Sequence, residues 1–221
     1  MPKAIAVVSG GLDSVTLAYL LHSEGYELHL LSFDYGQRHR KELEYASLCA
    51  TRLGAEHHIV DLSGIGSLLK GSALTDNVEV PEGHYAAPNM AVTVVPNRNA
   101  VMLAVAYAVA VAEKADIVSA GFHSGDHPIY ADCRPDFVEA FEVMERIATE
   151  GDAAGSLHLY TPFVHVNKQD VVAIGFRLGV PFQETWSCYK GLERHCGKCG
   201  TCQERREAFA LAGIEDPTEY E

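Results

Sequence analysis

Apolar positions along the chain recur with two periods, and the two periods take turns. Ala4–Val8 is a short apolar run with β-branched members that stops at Ser-Gly-Gly, the pattern of a buried strand meeting a turn. Directly after it, Ser14–His22 sets Val15, Leu17, Ala18, Leu20 and Leu21 at helical spacing. Continuing along the chain, the pattern predicts strands over Glu27–Phe33, Glu56–Val60, Asp116–Ala120 and Leu157–Tyr160. Helices are predicted over Lys41–Leu53, Asn99–Lys114, Pro135–Thr149 and Asn167–Leu178. Strands and helices alternating at this spacing predict βαβ units. The expected fold is therefore α/β, a doubly wound parallel sheet with helices on both faces. Ligands in such folds sit beyond the carboxyl ends of the strands, where the strand order reverses.

Two stretches break the alternation. Ser72–Pro96 holds Pro81, Gly83, Pro88 and Pro96 without a clear period, and it reads as an irregular insertion or a mobile loop. Gly121–Arg134 is a polar loop after a strand end, carrying His123, Asp126, His127, Asp132 and Arg134, where substrate is expected. There is no internal repeat and no low-complexity run.

Composition narrows the function classes. With 221 residues, 48% of them hydrophobic, the chain can bury a full core, as one domain or one domain with a small appendage. A formal net charge of −13 disfavours nucleic acid as a partner, because phosphates need basic surface. The apolar run Ala100–Ala112 falls short of the roughly 20 residues a bilayer span needs and reads as a buried helix. Met1-Pro2-Lys3 leads straight into a strand pattern with no signal-peptide features, so the expected compartment is the cytoplasm. Cys49 lies in a helix pattern as a core residue, Cys133 reads as a small buried hydrophobe, and His57-His58 read as strand surface.

Ser9-Gly10-Gly11-Leu12-Asp13-Ser14 follows the first strand and opens the first helix. Glycines let backbone approach an anion, and free amides at a helix N-terminus bind phosphate. Ser9 and Ser14 add hydroxyls, while Asp13 can cap the helix or help place a Mg²⁺ that arrives with ATP. The string lacks both the Walker lysine and Gly-x-Gly-x-x-Gly, which excludes the common kinase, GTPase and dinucleotide patterns. It resembles the loop of the PP-loop ATP-pyrophosphatases, which split ATP between the α- and β-phosphates to make adenylates.

Cys188, Cys196, Cys199 and Cys202 have spacing Cys-x7-Cys-x2-Cys-x2-Cys, with Gly197 and Gly200 easing the backbone between them. Thiolates two residues apart can converge on a tetrahedral Zn²⁺, and four leave no open position, so the site is expected to be structural. Two alternatives stay open on spacing alone: His195 in place of Cys188, and an iron–sulfur centre.

Further stretches make the likeness specific. Asp34-Tyr35-Gly36-Gln37-Arg38-His39, Val95-Pro96-Asn97-Arg98-Asn99, Gly125-Asp126-His127, Asp132-Cys133-Arg134-Pro135, Thr161-Pro162 with Lys168, and Glu184-Thr185-Trp186-Ser187-Cys188-Tyr189 resemble the QueC family of 7-cyano-7-deazaguanine synthases nearly end to end. One departure is Ala131, where the family pattern would have proline. The resemblance implies that the carboxylate of 7-carboxy-7-deazaguanine is adenylated and attacked by ammonia, and that the resulting amide is adenylated in turn and loses its oxygen to leave a nitrile. It implies ATP, Mg²⁺ and one structural Zn²⁺ per chain. Residues 1–183 would form the nucleotide-binding domain and residues 184–221 a helical, zinc-binding segment packed on it.

Within that frame, Asp13, Ser14 and Lys168 are the candidate catalytic residues, and Ser9–Ser14 with Arg98 the candidate ATP contacts. Arg98 and Lys168 each have a bland alternative as solvated cations. Asp126, Asp132 and Arg134 are the candidate substrate contacts, with Arg134 suited to a carboxylate and Asp132 to a guanine-like N–H edge; an Asp–Arg loop clamp is the alternative. The expected partners are these small molecules, with no nucleic acid and no membrane, in a homodimer. Three rival readings are a tRNA-thiolating relative using Cys133, a zinc module without catalysis, and a relative that stops at the amide or modifies another macromolecule.

Overall fold

The computed structural model describes residues 1–221 and is built on a five-stranded, all-parallel sheet in the order β3-β2-β1-β4-β5. β1 (Lys3–Val7) is central, pairing Lys3 through Val7 with Glu27 through Leu31 of β2 (Glu27–Asp34) and Ala4 through Ala6 with Ile117 through Ser119 of β4 (Ile117–Ser119). β3 (Glu56–Asp61) and β5 (His158–Tyr160) form the edges. A central parallel strand is covered on both faces, which is why β1 reads as a continuous apolar run. Its alternation divides the core. Ala4 and Ala6 pack with Leu17 of α1 (Leu12–Ser23), Ala46 of α2 (Glu42–Leu53) and Val171 of α6 (Lys168–Arg177). Ile5 packs on the other face with Leu103 and Ala106 of α4 (Arg98–Glu113) and Phe141 of α5 (Pro135–Ala148). A one-turn helix, α3 (Ser63–Gly66), follows β3.

The elements expected from periodicity are present within one or two residues at each end. The run Ala100–Ala112 is buried only along one side, through Met102, Leu103, Ala106, Tyr107 and Ala110. β3, as an edge strand, exposes Glu56, His58 and Ile59, while His57 turns in to Ser32 Oγ at 2.8 Å.

The two unpatterned stretches are ordered by packing rather than by period. In Ser72–Pro96, Ala73 and Leu74 are fully buried, Ala73 N–H donates to the Val92 carbonyl, and a 3₁₀ turn over Pro88–Thr93 buries Met90. This segment is irregular but forms a wall of the molecule. At the C-terminus, α7 (Gly200–Ala212) sends Ala208 and Phe209 into the same core as α1 and α6, so the C-terminal segment shares its hydrophobic interior with residues 1–183. The chain before α7 is stitched to the first loop, where Trp186 N–H donates to the Gly10 carbonyl at 2.9 Å.

The strand order reverses between β1 and β4, and a cavity of about 220 Å³ opens beyond their carboxyl ends. Its position is the one the topology prescribes for a ligand.

Candidate active site

The loop between β1 and α1 forms one wall of the cavity. Gly10 has φ +88°, and a Cβ there would lie 2.2 Å from the Glu42 carbonyl oxygen and 2.7 Å from Ala46 N, so only glycine fits against the start of α2. Ser9 and Ser14 brace the loop internally: Ser9 N–H donates to Ser14 Oγ at 3.2 Å, Gly11 N–H to Ser9 Oγ at 3.3 Å, and Ser14 Oγ–H to the Gly11 carbonyl at 3.1 Å. No side chain caps α1, which starts after Gly11, and Gly11 through Ser14 line the cavity. An uncapped helix N-terminus beside close-approaching glycine backbone is an anion site.

Asp13, expected to cap the helix or to help place a cation, does not cap. Its carboxylate receives the Lys168 ammonium at 2.6 Å and lies 3.8 Å from His123 Nε2. Burial works against its ionisation, but Lys168 and His123 outweigh it and hold the pKa below the usual aspartate value. Lys168 also lies 3.2 Å from Glu204 Oε2. Burial would lower its pKa, yet Asp13, Glu204 and Asp126 together raise it, so the ammonium is firmly charged. Burial raises Glu204 in turn. Asp126 is fixed by the Tyr85 hydroxyl at 2.9 Å and by His123 N–H at 3.2 Å. One cation thus stands among three carboxylates at the mouth of a phosphate loop. The Oδ1 atom of Asp13 is buried without a partner, an acceptor left for an incoming donor or cation.

A further part of the lining is aromatic and holds one carboxylate. Arg98, the first residue of α4, donates to the Tyr35 hydroxyl at 2.9 Å. Burial pushes the Tyr35 phenol up to about 12. Tyr130 and Tyr189 share a hydrogen bond at 3.2 Å beside them. Glu42 lines this end. Its Oε1 accepts from Gln37 Nε2 at 3.0 Å, and Gln37 is itself locked by Tyr35 N–H and the Phe33 carbonyl. Its Oε2 lies 3.5 Å from His39 Nε2, but burial pulls the His39 pKa down to about 3, so that ring is neutral. Burial raises the Glu42 pKa to about 7, against the Gln37 hydrogen bond and the field of Arg98.

The four cysteines converge. Cys188, Cys196, Cys199 and Cys202 are all buried, and their sulfurs lie within 4.8 Å of one another. Two of the Sγ–Sγ separations are 4.0 Å, close to the edge of roughly 3.8 Å that a tetrahedron of Zn–S bonds has. Backbone N–H groups of Lys198 and Cys199 point at Cys196 Sγ at 3.4 and 3.3 Å, as expected around thiolate ligands. The donor set therefore fits a single tetrahedral ion. His195 is not among the converging groups: its Nε2 accepts from Ser187 N–H at 3.0 Å and its ring lies 4.3 Å from that of Trp186.

Of the residues singled out from sequence, Ser9, Gly11, Leu12, Asp13, Ser14, Arg98, Asp126 and Lys168 line the cavity, with Gly10 behind them. Asp132 and Arg134 do not. Asp132 accepts from Asn99 N–H at 3.0 Å and caps the start of α4, and exposed Arg134 donates from Nε to the His127 carbonyl at 2.9 Å. Both bond to backbone groups beside the cavity. Cys133 borders the cavity, and burial pushes its thiol pKa up, away from the thiolate that a sulfur-transfer reading needs. Sequence reasoning assigned no role to Glu42, His123 or Glu204. Glu204 had a signal in its place two residues after the last cysteine; Glu42 sat in a helical pattern like any surface glutamate.

The family model described as "Queuosine biosynthesis protein QueC" matches residues 3–213. A 7-cyano-7-deazaguanine synthase of Sinorhizobium fredii is 62% identical over 99% of this chain and 92% of its own length. The enzyme of the same name from Brucella ovis is 59% identical over 99% and 94%. Among solved structures, an NMN synthetase from Francisella tularensis superposes with TM-score 0.56 at 15% identity, over 97% of this chain and 78% of its own. An NH3-dependent NAD synthetase from Campylobacter jejuni does so with TM-score 0.51 at 14% identity, over 82% and 66%. At such identities the structural likeness speaks for the fold alone.

Proposed function

The chain belongs to the QueC family, and we propose that it converts 7-carboxy-7-deazaguanine to the 7-cyano nitrile, using ATP twice and ammonia once. The observation that carries this reading is that the phosphate loop and Arg98 open onto one shared cavity. The free amides of α1 and the serine hydroxyls of Ser9 and Ser14 are suited to the β- and γ-phosphates, and Lys168 to the charge that develops as pyrophosphate departs. Arg98, beside the Tyr35 hydroxyl, is suited to draw the substrate carboxylate toward the α-phosphorus. Asp126 is within the same cavity for a guanine-like N–H edge, while Asp132 contributes indirectly, by holding the Asn99 amide next to Arg98.

The chemistry is two rounds of the same activation. The carboxylate oxygen attacks the α-phosphorus and pyrophosphate leaves, giving an acyl adenylate. Ammonia then adds to the carbonyl carbon and AMP departs with the carbon–oxygen pair, giving the amide. The amide oxygen is adenylated in its turn, and loss of AMP with the remaining N–H protons leaves the nitrile. Because an oxygen becomes a leaving group each time, one phosphate loop serves both rounds. A magnesium ion accompanying ATP would neutralise phosphate charge, with Asp13 as its protein ligand; the partnerless Oδ1 supports that assignment. The four cysteines would hold Zn²⁺ in a closed, structural site. No helix is long and apolar enough to cross a membrane. The sequence expectation of a cytoplasmic homodimer with no nucleic-acid partner stands beside this reading, and sedimentation reads the assembly.

The test is to incubate the protein with 7-carboxy-7-deazaguanine, ATP, Mg²⁺ and ammonium, and to follow products by mass spectrometry. Nitrile, AMP and pyrophosphate are expected. ADP as the main nucleotide product, or an untouched acid, would overturn the reading; amide without nitrile would mark a relative that stops half-way.

A further inference from the structure

Taking the proposed reaction as given, we infer that Glu42 is the base that removes protons from nitrogen, both when ammonia adds to the acyl adenylate and when the adenylated amide collapses to the nitrile. Each round needs such a group. Addition of ammonia gives an N–H-rich tetrahedral adduct that must lose a proton before AMP leaves. Collapse of the adenylated amide requires its two N–H protons to go while AMP departs with the carbon–oxygen electron pair. Asp13 is ion-paired to Lys168 at 2.6 Å, and Asp126 is tied to Tyr85 and to His123 N–H. Glu204 shares Lys168, 3.2 Å away. Asp13 and Glu204 thus serve the phosphate end, and Asp126 is left for the guanine-like edge.

Glu42 is differently placed. It lines the same cavity at the end that holds Arg98 and Tyr35, its side chain only 12% exposed, and it has no charged partner within salt-bridge distance. One oxygen is pinned by Gln37, whose own amide is locked by backbone, which aims the carboxylate without neutralising it. Its backbone carbonyl packs on Gly10, so the same turn of helix that shapes the phosphate loop fixes the carboxylate beside it. The groups that face Glu42 are Gln37, neutral His39, the Tyr35 phenol and the Arg98 guanidinium, none of which titrates between pH 5 and 9. With its pKa at about 7, Glu42 is half ionised at neutral pH, the condition under which a general base both accepts a proton from nitrogen and releases it to solvent before the next transfer.

The experiment separates nitrogen transfer from adenylation. Acid-dependent exchange of labelled pyrophosphate into ATP reads the first adenylation and the integrity of the fold; amide and nitrile formation read nitrogen transfer. Glu42→Gln should lose nitrogen transfer by roughly a hundredfold or more, the range a general base contributes, while exchange stays within about fivefold of wild type. Hydroxylamine, whose nitrogen is a weaker base and a good nucleophile near neutrality, should still trap the acyl adenylate as a hydroxamate in the variant. With the concentration of free NH3 held constant as pH is varied, the wild-type rate of nitrogen transfer should rise through about 7 and level off above it, and Glu42→Asp should recover part of the rate lost in Glu42→Gln. Unchanged nitrogen transfer in Glu42→Gln overturns the proposal, and so does loss of exchange in step with nitrogen transfer, which would make Glu42 part of the nucleotide site. A wild-type protein that exchanges no pyrophosphate in the presence of the acid fails the underlying reading instead.

Discussion

Arg205 offers the sharpest test of how the C-terminal segment is held. Its side chain is fully buried on α7 and donates from Nη2 to the Phe182 carbonyl at 2.8 Å. Its Nη1 reaches Thr185 Oγ1 at 2.7 Å and Ser187 Oγ at 3.2 Å, and its Nε reaches Asp216 Oδ1 at 3.3 Å. Arg205→Met keeps the aliphatic stem and removes the fork. Breaking a buried ion pair from one side costs about 3–5 kcal/mol, because the remaining charge is left without compensation. Here the remaining charge is Asp216, whose pKa burial would raise but which Arg205, Tyr220 and Thr218 hold low. Asp216 keeps Thr218 N–H and the Tyr220 hydroxyl, and the Phe182 carbonyl keeps the Thr185 hydroxyl. The expected loss therefore lies at the low end, about 3 kcal/mol. For a chain of this length that is a fall in Tm of roughly 6–12 °C in a thermal scan at pH 7. The strap from Phe182 to Cys188 carries Trp186, whose N–H holds the Gly10 carbonyl, so the KM for ATP should rise as well. Arg205→Met with Asp216→Leu should recover at least half of the lost stability, since both desolvated charges are then gone. A single variant melting within about 2 °C of wild type would refute this account of the segment.

Three further outcomes are expected. Gly10→Ala should abolish pyrophosphate exchange, because the left-handed backbone alone costs an L-residue about 1–2 kcal/mol and the Cβ collides with α2; near-normal exchange would refute the close approach. Cys199→Ser should release the metal, read as zinc near one per chain in wild type and none in the variant by elemental analysis, and should raise proteolysis around Trp186–Glu204; iron in the wild type would overturn the zinc assignment. Glu42→Gln should raise stability above pH 7. A carboxylate whose folded pKa is raised from 4.5 to about 7 contributes stability that is fully present below pH 4.5 and lost as pH rises through 7. The variant should thus gain roughly 2–3 kcal/mol over wild type at pH 8 and little at pH 4.5, measured by urea unfolding at both values.

The sequence by itself determined the features whose geometry is carried by a contiguous stretch. The alternation of Ala4–Val8, Ser14–His22 and their successors specified the parallel sheet, because a strand buried on both faces needs a run of apolar residues. Ser9–Ser14 specified a glycine turn into an uncapped helix, the geometry suited to an anion, because the turn and the helix start lie in one contiguous stretch. The cysteines lie within 15 positions, so the local backbone suffices to bring them together, and burial of all four with His195 turned to Ser187 decided the donor set. Only the tertiary structure decided the cavity. Its walls come from β1, the start of α2, the start of α4, the loop after β4, α6 and α7, and no periodicity says which polar face of each will look inward. Thus Glu42, unremarked in its helix, faces ligand space because its carbonyl must pack on Gly10. Asp132 and Arg134 have the chemistry of a binding pair, and only the tertiary structure decided that they bond to the Asn99 amide and the His127 carbonyl outside the cavity lining.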